Sequence, residues 1–144
     1  MGVRSPDILV ALYAESRSMR LLVVEDSPLL RKMFGLAFPH HFNELRQAES
    51  GREAIELLAT DRVPFDAVLL DLRMPDMNGV EFIRALRRQP THAATPIVLA
   101  TAEADDSDLM REATALGVAA VVKKPWTPQA LRNAVQQVLD PSTG

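Results

Sequence analysis

A chain of 144 residues, 47% hydrophobic and 24% charged, has the size and composition of one ordinary globular domain, neither disordered nor membrane-embedded. A net charge of -3 with scattered Lys and Arg leaves no basic stripe for nucleic acid, and the lack of cysteine rules out disulfides and thiolate metal sites. The apolar run at 8–14 is too short to span a bilayer and, headed by Asp7 with only Arg4 before it, makes a poor signal peptide, so we expect a cytoplasmic protein.

In chain order, residues 1–18 stand outside the pattern that follows. Ile8, Leu9, Leu12 and Tyr13 fit one face of a helix too short to be stable alone, so the segment reads as an extended start or a docking helix. From residue 19 to 140 we expect one domain, with 141–144 as a tail. Short Val- and Leu-rich runs at 20–25, 45–48, 67–71, 96–101 and 119–123 read as strands, the second weakly. Three are almost wholly apolar, as befits central strands of a parallel sheet covered on both faces. Between them, apolar residues recur every three or four positions at 28–38, 52–59, 80–89, 106–116 and 128–139, which predicts five helices. Ser27 before Pro28 and Thr127 before Pro128 place a capping hydroxyl ahead of a proline at the first helical position. Gly117 and Pro141 act as helix stops. Five strand and helix pairs with right-handed crossovers predict an α/β fold, a three-layer αβα sandwich around a five-stranded parallel sheet.

The functional crevice of such a sheet lies beyond the carboxyl ends of its strands, where strand order reverses. The first run ends in Glu25 and Asp26, the third in Asp71, the fourth in Thr101, and the fifth in Lys123 and Lys124. Each has an ordinary explanation taken singly: Asp26 as a helix cap, Asp71 as a loop residue, Lys124 as a surface charge. Together they place three carboxylates, a hydroxyl and a lysine on one edge. Clustered carboxylates need a cation or a shared proton to stay ionised at neutral pH, and magnesium suits an all-oxygen set that leaves room for water and a phosphate. A carboxylate beside that ion can attack a phosphoryl donor. Lys124 would neutralise phosphoryl oxygens, and the Thr101 hydroxyl could bond one.

The strings LLVVEDS, VLLDLRMPDMNG, VLATAEA and VVKKPW resemble the four site-forming segments of response-regulator receiver domains, especially the chemotaxis type. The resemblance spans about residues 19 to 140 and implies the flavodoxin-like (βα)5 receiver fold. It implies Asp71 as phosphoacceptor, Asp26 as a direct magnesium (Mg2+) ligand, Glu25 as a ligand largely through water, and the Arg73 carbonyl as the remaining protein ligand. Thr101 and Lys124 match the switch hydroxyl and the phosphate-pairing lysine, with a commonly cis bond to Pro125. The implied donor is a sensor histidine kinase or a histidine phosphotransfer protein; a downstream protein partner is implied but not specified. The chain departs from the pattern at Glu25, where the family often has aspartate, and at Val121, where it has an aromatic switch residue. With valine there, the signal is expected to travel by backbone movement of residues 102–106.

Other residues read as structural. His40, His41 and His92 are expected in solvated loops, Met74 and Met77 as packing around the loop after Asp71, and Asp105, Asp106 and Asp108 as an acidic helix start. Arg73 and Glu103 are expected to flank the approach to the phosphoryl group and to pair. Two other functions compete with a signalling switch that catalyses only its own modification. A phosphatase resembling the haloacid dehalogenase type would carry a second aspartate where Arg73 stands. A receiver-type module acting unphosphorylated would lack the acceptor, a ligand or the lysine.

Overall fold

The computed structural model describes residues 18–39 and 43–140. The readings of Ile8, Leu9, Leu12, Tyr13, His40, His41 and Pro141 lie outside the described residues. The strands are β1 (Arg20–Val24), β2 (Glu44–Ala48), β3 (Ala67–Leu70), β4 (Ile97–Thr101) and β5 (Ala120–Lys123). They alternate with α1 (Pro28–Ala37), α2 (Gly51–Thr60), α3 (Gly79–Arg87), α4 (Asp108–Ala115) and α5 (Pro128–Leu139). All neighbouring strands are parallel, in the order β2-β1-β3-β4-β5. This is the flavodoxin-like (βα)5 sandwich, and its order reverses between β1 and β3.

The period of two along each strand sorts the core into two layers. Leu21 and Val23 of β1, with Leu69 and Val98, pack against Phe34 of α1 and Leu131 and Val135 of α5. Leu22 and Val24, with Leu70 and Leu99, face Leu58 of α2, Phe82 and Ile83 of α3, and Met110 of α4. The three apolar runs are indeed the central strands β1, β3 and β4. β2 was faint because it is an edge strand whose Glu44 and Arg46 are exposed.

Capping fixes where each helix starts, and hence where each strand-end loop sits. Ser27 accepts from the Leu30 amide at 3.2 Å and Thr127 from the Ala130 amide at 3.1 Å. Asn78 and Glu81 form a reciprocal capping box at the head of α3. A Cβ on Gly79 would stand 2.9 Å from the Leu72 Cα and 3.0 Å from the Asp71 carbonyl, so only glycine lets α3 start this close under β3. Gly117 ends α4 at φ +87°.

Two expectations need correction. α4 begins at Asp108 behind the cap Ser107, so Asp105 and Asp106 precede it; Asp105 instead pairs with Lys123 at 3.2 Å. His92 is not solvated: it is 1% exposed, at the end of a 3-10 turn over Pro90–His92. Its Nδ1 lies 3.1 Å from the Thr95 hydroxyl, and Arg87 donates to the carbonyls of His92 (3.1 Å) and Thr95 (2.7 Å). The Phe65 ring lies 6.0 Å away and carries the Arg20 guanidinium on its face. Burial, then the nearby Arg20 charge, pushes the His92 pKa below its ordinary value. The unfolded chain therefore takes up this proton first as pH falls, and the folded state loses stability below about pH 6.5. Urea unfolding between pH 7.5 and 5.5 should show a steeper acid loss for the wild type than for His92→Gln; equal slopes would contradict this assignment.

Candidate functional site

β1 and β3 lie side by side, with Val24 opposite Leu70, so the residues that follow them emerge together at the reversal of strand order. Glu25, Asp26 and Asp71 each bring a carboxylate oxygen within 4.8 Å of the others. Glu25 is 1% exposed and Asp71 is buried, whereas Asp26 opens to solvent. Backbone pairing continues past the strand ends and fixes this geometry. The Glu25 amide donates to the Ala48 carbonyl at 3.0 Å and the Asp71 amide to the Val24 carbonyl at 3.2 Å.

Lys124 is the cation among them. Its ammonium donates to Asp71 Oδ2 at 2.7 Å and stands 3.2 Å from Glu25 Oε1, in ion-pair contact. Glu25 Oε1 is buried with the Lys124 ammonium as its neighbour, while Oε2 accepts from the Ser27 amide at 3.1 Å. Burial raises the Glu25 pKa against the pull of the Ser27 amide and Lys124. Burial works to lower that of Lys124, but its bond to Asp71 and the charges of Asp71 and Glu25 outweigh this and raise it. Two unit charges 4.8 Å apart repel by about 3 kcal/mol at an effective dielectric of about 20. Three carboxylates facing one ammonium are therefore short of positive charge. An all-oxygen donor set with one buried carboxylate oxygen facing the cluster's lysine and one solvent-facing carboxylate fits a hard divalent ion such as magnesium.

The surrounding loops are tied down individually. Asp71 Oδ1 accepts from the Arg73 amide at 3.4 Å, the outer limit of a hydrogen bond. Asp76 accepts from the Gly51 and Arg52 amides at 3.3 and 2.8 Å, binding the loop after Asp71 to the first turn of α2. Met77 packs against Gly51, where an added Cβ would collide with its side chain, and Met74 also lies against the core. Arg31 donates to the carbonyls of Glu25 (2.8 Å) and Asp26 (3.1 Å) and steadies the turn that bears them. The Lys124-Pro125 peptide is cis, and Trp126 behind it is buried against Phe34 with ring centroids 4.8 Å apart.

Thr101 ends β4, 1% exposed; its Oγ1 accepts from the Glu103 amide at 3.1 Å and its carbonyl accepts from the Lys124 amide at 2.9 Å. Arg73 and Glu103 form the expected pair, a two-point bond of 2.7 and 3.0 Å. The Arg73 guanidinium holds the Glu103 carboxyl below the usual range. The strand-end residues singled out in the sequence thus line one edge of the sheet. The anchors Arg31 and Asp76 did not stand out, and Lys123, noted as a strand-end residue, was given no partner. For Asp76 the signal is its place in the turn sequence between Pro75 and Asn78, where a carboxylate can cap a neighbouring helix.

A model of the response regulator receiver domain matches residues 21–136. A chemotaxis protein CheY homolog of Campylobacter jejuni is 32% identical over 127 residues, covering 88% of this chain and 96% of the relative. The regulatory protein AtoC of Escherichia coli is 37% identical over 120 residues, which are 83% of this chain and 25% of AtoC. Among solved structures, the chemotaxis response regulator CheY4 of Vibrio cholerae aligns with a TM-score of 0.76 at 32% identity, covering 85% of this chain and 99% of CheY4.

Proposed function

The chain belongs to the response regulator receiver domain family, and from that premise we propose that it is switched by magnesium-dependent phosphorylation of Asp71. The observation that carries this reading is the Asp71 carboxylate, 2.7 Å from the Lys124 ammonium and clustered with Glu25 and Asp26. As a CheY-like receiver domain the chain is a signalling protein of a two-component system. The roles of Asp71, Lys124 and the clustered carboxylates rest on geometry and chemistry, and those of the Arg73 carbonyl and of Asp26 as the direct ligand on the family resemblance.

A carboxylate oxygen of Asp71 attacks the phosphorus of a phosphohistidine or a small acyl phosphate. The new O–P bond forms as the bond to the leaving imidazole or carboxylate breaks, its electron pair departing with the leaving group. Lys124 shifts from the carboxylate to a phosphoryl oxygen, and the Thr101 hydroxyl, which already accepts from Glu103, still has its proton to donate to another. Glu25, Asp26, Asp71 and the Arg73 carbonyl would hold the magnesium, which supplies charge neutralisation at the phosphoryl oxygens when bound. Water later cleaves the O–P bond, giving inorganic phosphate and the original carboxylate.

The donor in this reading is a sensor histidine kinase or a histidine phosphotransfer protein in the cytoplasm; among the described residues no helix is long and apolar enough to cross a membrane. α1 starts two residues after Asp26 and leaves Leu29 and Leu36, two turns apart, about two-thirds exposed. With Lys32 exposed between them, these leucines give a protein donor apolar and charged contacts on α1.

Asp71→Asn should take no phosphoryl group from acetyl phosphate with magnesium, because an amide lacks the anionic nucleophile. Intact-protein mass reads it, and labelling at the wild-type rate would remove Asp71 from this role. Sustained release of phosphate without an adduct would indicate a phosphatase instead. The Arg73–Glu103 pair, in the same reading, restricts the attacking water. A bidentate surface pair is worth roughly 0.5–1 kcal/mol, so replacing both residues with alanine should hydrolyse the phosphorylated form roughly two- to fivefold faster. An unchanged or longer lifetime would contradict that restriction.

A further inference from the structure

Consecutive residues of an extended strand project to opposite sides, and at the end of β5 this divides two lysines. Lys124 turns into the carboxylate cluster. Lys123 lies on the other side, where Val121, two residues earlier, is 41% exposed. The Lys123 ammonium donates to the Glu103 carbonyl and lies 3.2 Å from the Asp105 carboxylate. It grips the loop between β4 and α4 two residues beyond Thr101.

Glu103 is thereby held at its amide, its carboxylate and its carbonyl, with Ser107 adding a second partner at the carboxylate. Its amide donates to the Thr101 hydroxyl, its carboxylate takes both bonds from Arg73, and its carbonyl takes the bond from Lys123. Any motion of Thr101 toward a phosphoryl group on Asp71 pulls the Glu103 amide with it and works against the Lys123 contact. These are the contacts of the unmodified chain, in which Lys124 is still bonded to Asp71. Val121, with a short stiff side chain, has no large group to couple the strand to the loop. Lys123 has the reach that Val121 lacks.

We propose that Lys123 is a positioning residue that restrains the Thr101–Asp105 loop in its unphosphorylated position and so slows phosphoryl uptake, a proposal that rests on Asp71 being the acceptor. The exposed ion pair with Asp105, whose side chain is 89% exposed, contributes little by itself. The bond to the Glu103 carbonyl carries the restraint, because a main-chain oxygen cannot swing away without moving the loop.

The test is acetyl phosphate labelling of the whole chain with magnesium, with amide hydrogen exchange of the unmodified protein run in parallel. Lys123→Ala should label roughly two- to fivefold faster than wild type, the range of one modest ionic contact. Exchange at Glu103 and Asp105 should also be faster. Lys123→Arg, which keeps a donor of similar reach, should return both toward wild type. A purely electrostatic role predicts the opposite sign, since removing a positive charge beside the site disfavours an anionic donor. Equal or slower labelling of Lys123→Ala overturns the proposal while leaving the acceptor assignment intact, and so does unchanged loop exchange. A wild type that takes no label overturns the acceptor assignment and the restraint with it.

Discussion

Three carboxylates within 4.8 Å of one another, facing a single lysine ammonium, form the constraint on which the rest of the structure depends. Such a cluster is unfavourable by itself, because burial and mutual repulsion both act against the charged forms. It persists because the sheet confines Glu25 and Asp71, while Asp26 opens to solvent. Glu25 and Asp71 are fixed by backbone bonds that extend the ladder beyond β1 and β3, and those strands are buried on both faces. The apolar sandwich supplies rigidity, and the polar edge holds the resulting electrostatic strain.

Around this fixed floor the loops are held by contacts of graded strength. The loop after Asp71 is bound to α2 by Asp76 and pressed against α3 at Gly79, where even a methyl group would meet backbone. The loop after Thr101 is tied mainly by side chains reaching its main chain and carboxylates. Its restraints are polar and partly exposed, among them Arg73 on the Glu103 carboxylate, Lys123 on the Glu103 carbonyl and Asp105, and Arg111 on the Asp106 carbonyl. Exposed polar contacts are individually worth about 1 kcal/mol or less, so this loop belongs to the low-stability end of the molecule. A site that must bind the same acceptor in two states needs this division, with a rigid carboxylate floor beside a lightly held hydroxyl.

Much of this was legible in the sequence because the signals were local. Central strands declared themselves as apolar runs, and Ser27-Pro28 and Thr127-Pro128 marked helix starts that the caps reproduce. The cluster was legible because a parallel sheet sends every strand end to one edge, so Glu25, Asp26, Asp71, Thr101 and Lys124 could be placed without knowing any distance. What escaped depends on partners distant in sequence. His92 sits among Pro90, Thr91 and Ala93 and reads as a loop residue, yet Phe65 and Arg20 cover it from other segments. Asp105 reads as part of an acidic helix start, and only the return of β5 reveals Lys123 as its partner. The charge of Lys123 was visible, but its direction required the register that places it beside Thr101.

The most direct test of the charge-deficit account is urea unfolding of the wild type and Asp26→Asn, each with and without magnesium. Removing one solvent-facing carboxylate relieves repulsion and removes a ligand. Asp26→Asn should therefore equal or exceed the wild type in stability without the ion. Magnesium should stabilise the wild type by about 1.4 kcal/mol for each tenfold rise above its dissociation constant, and the variant far less. A variant less stable than wild type without magnesium, or one that gains as much from the ion, would contradict the account.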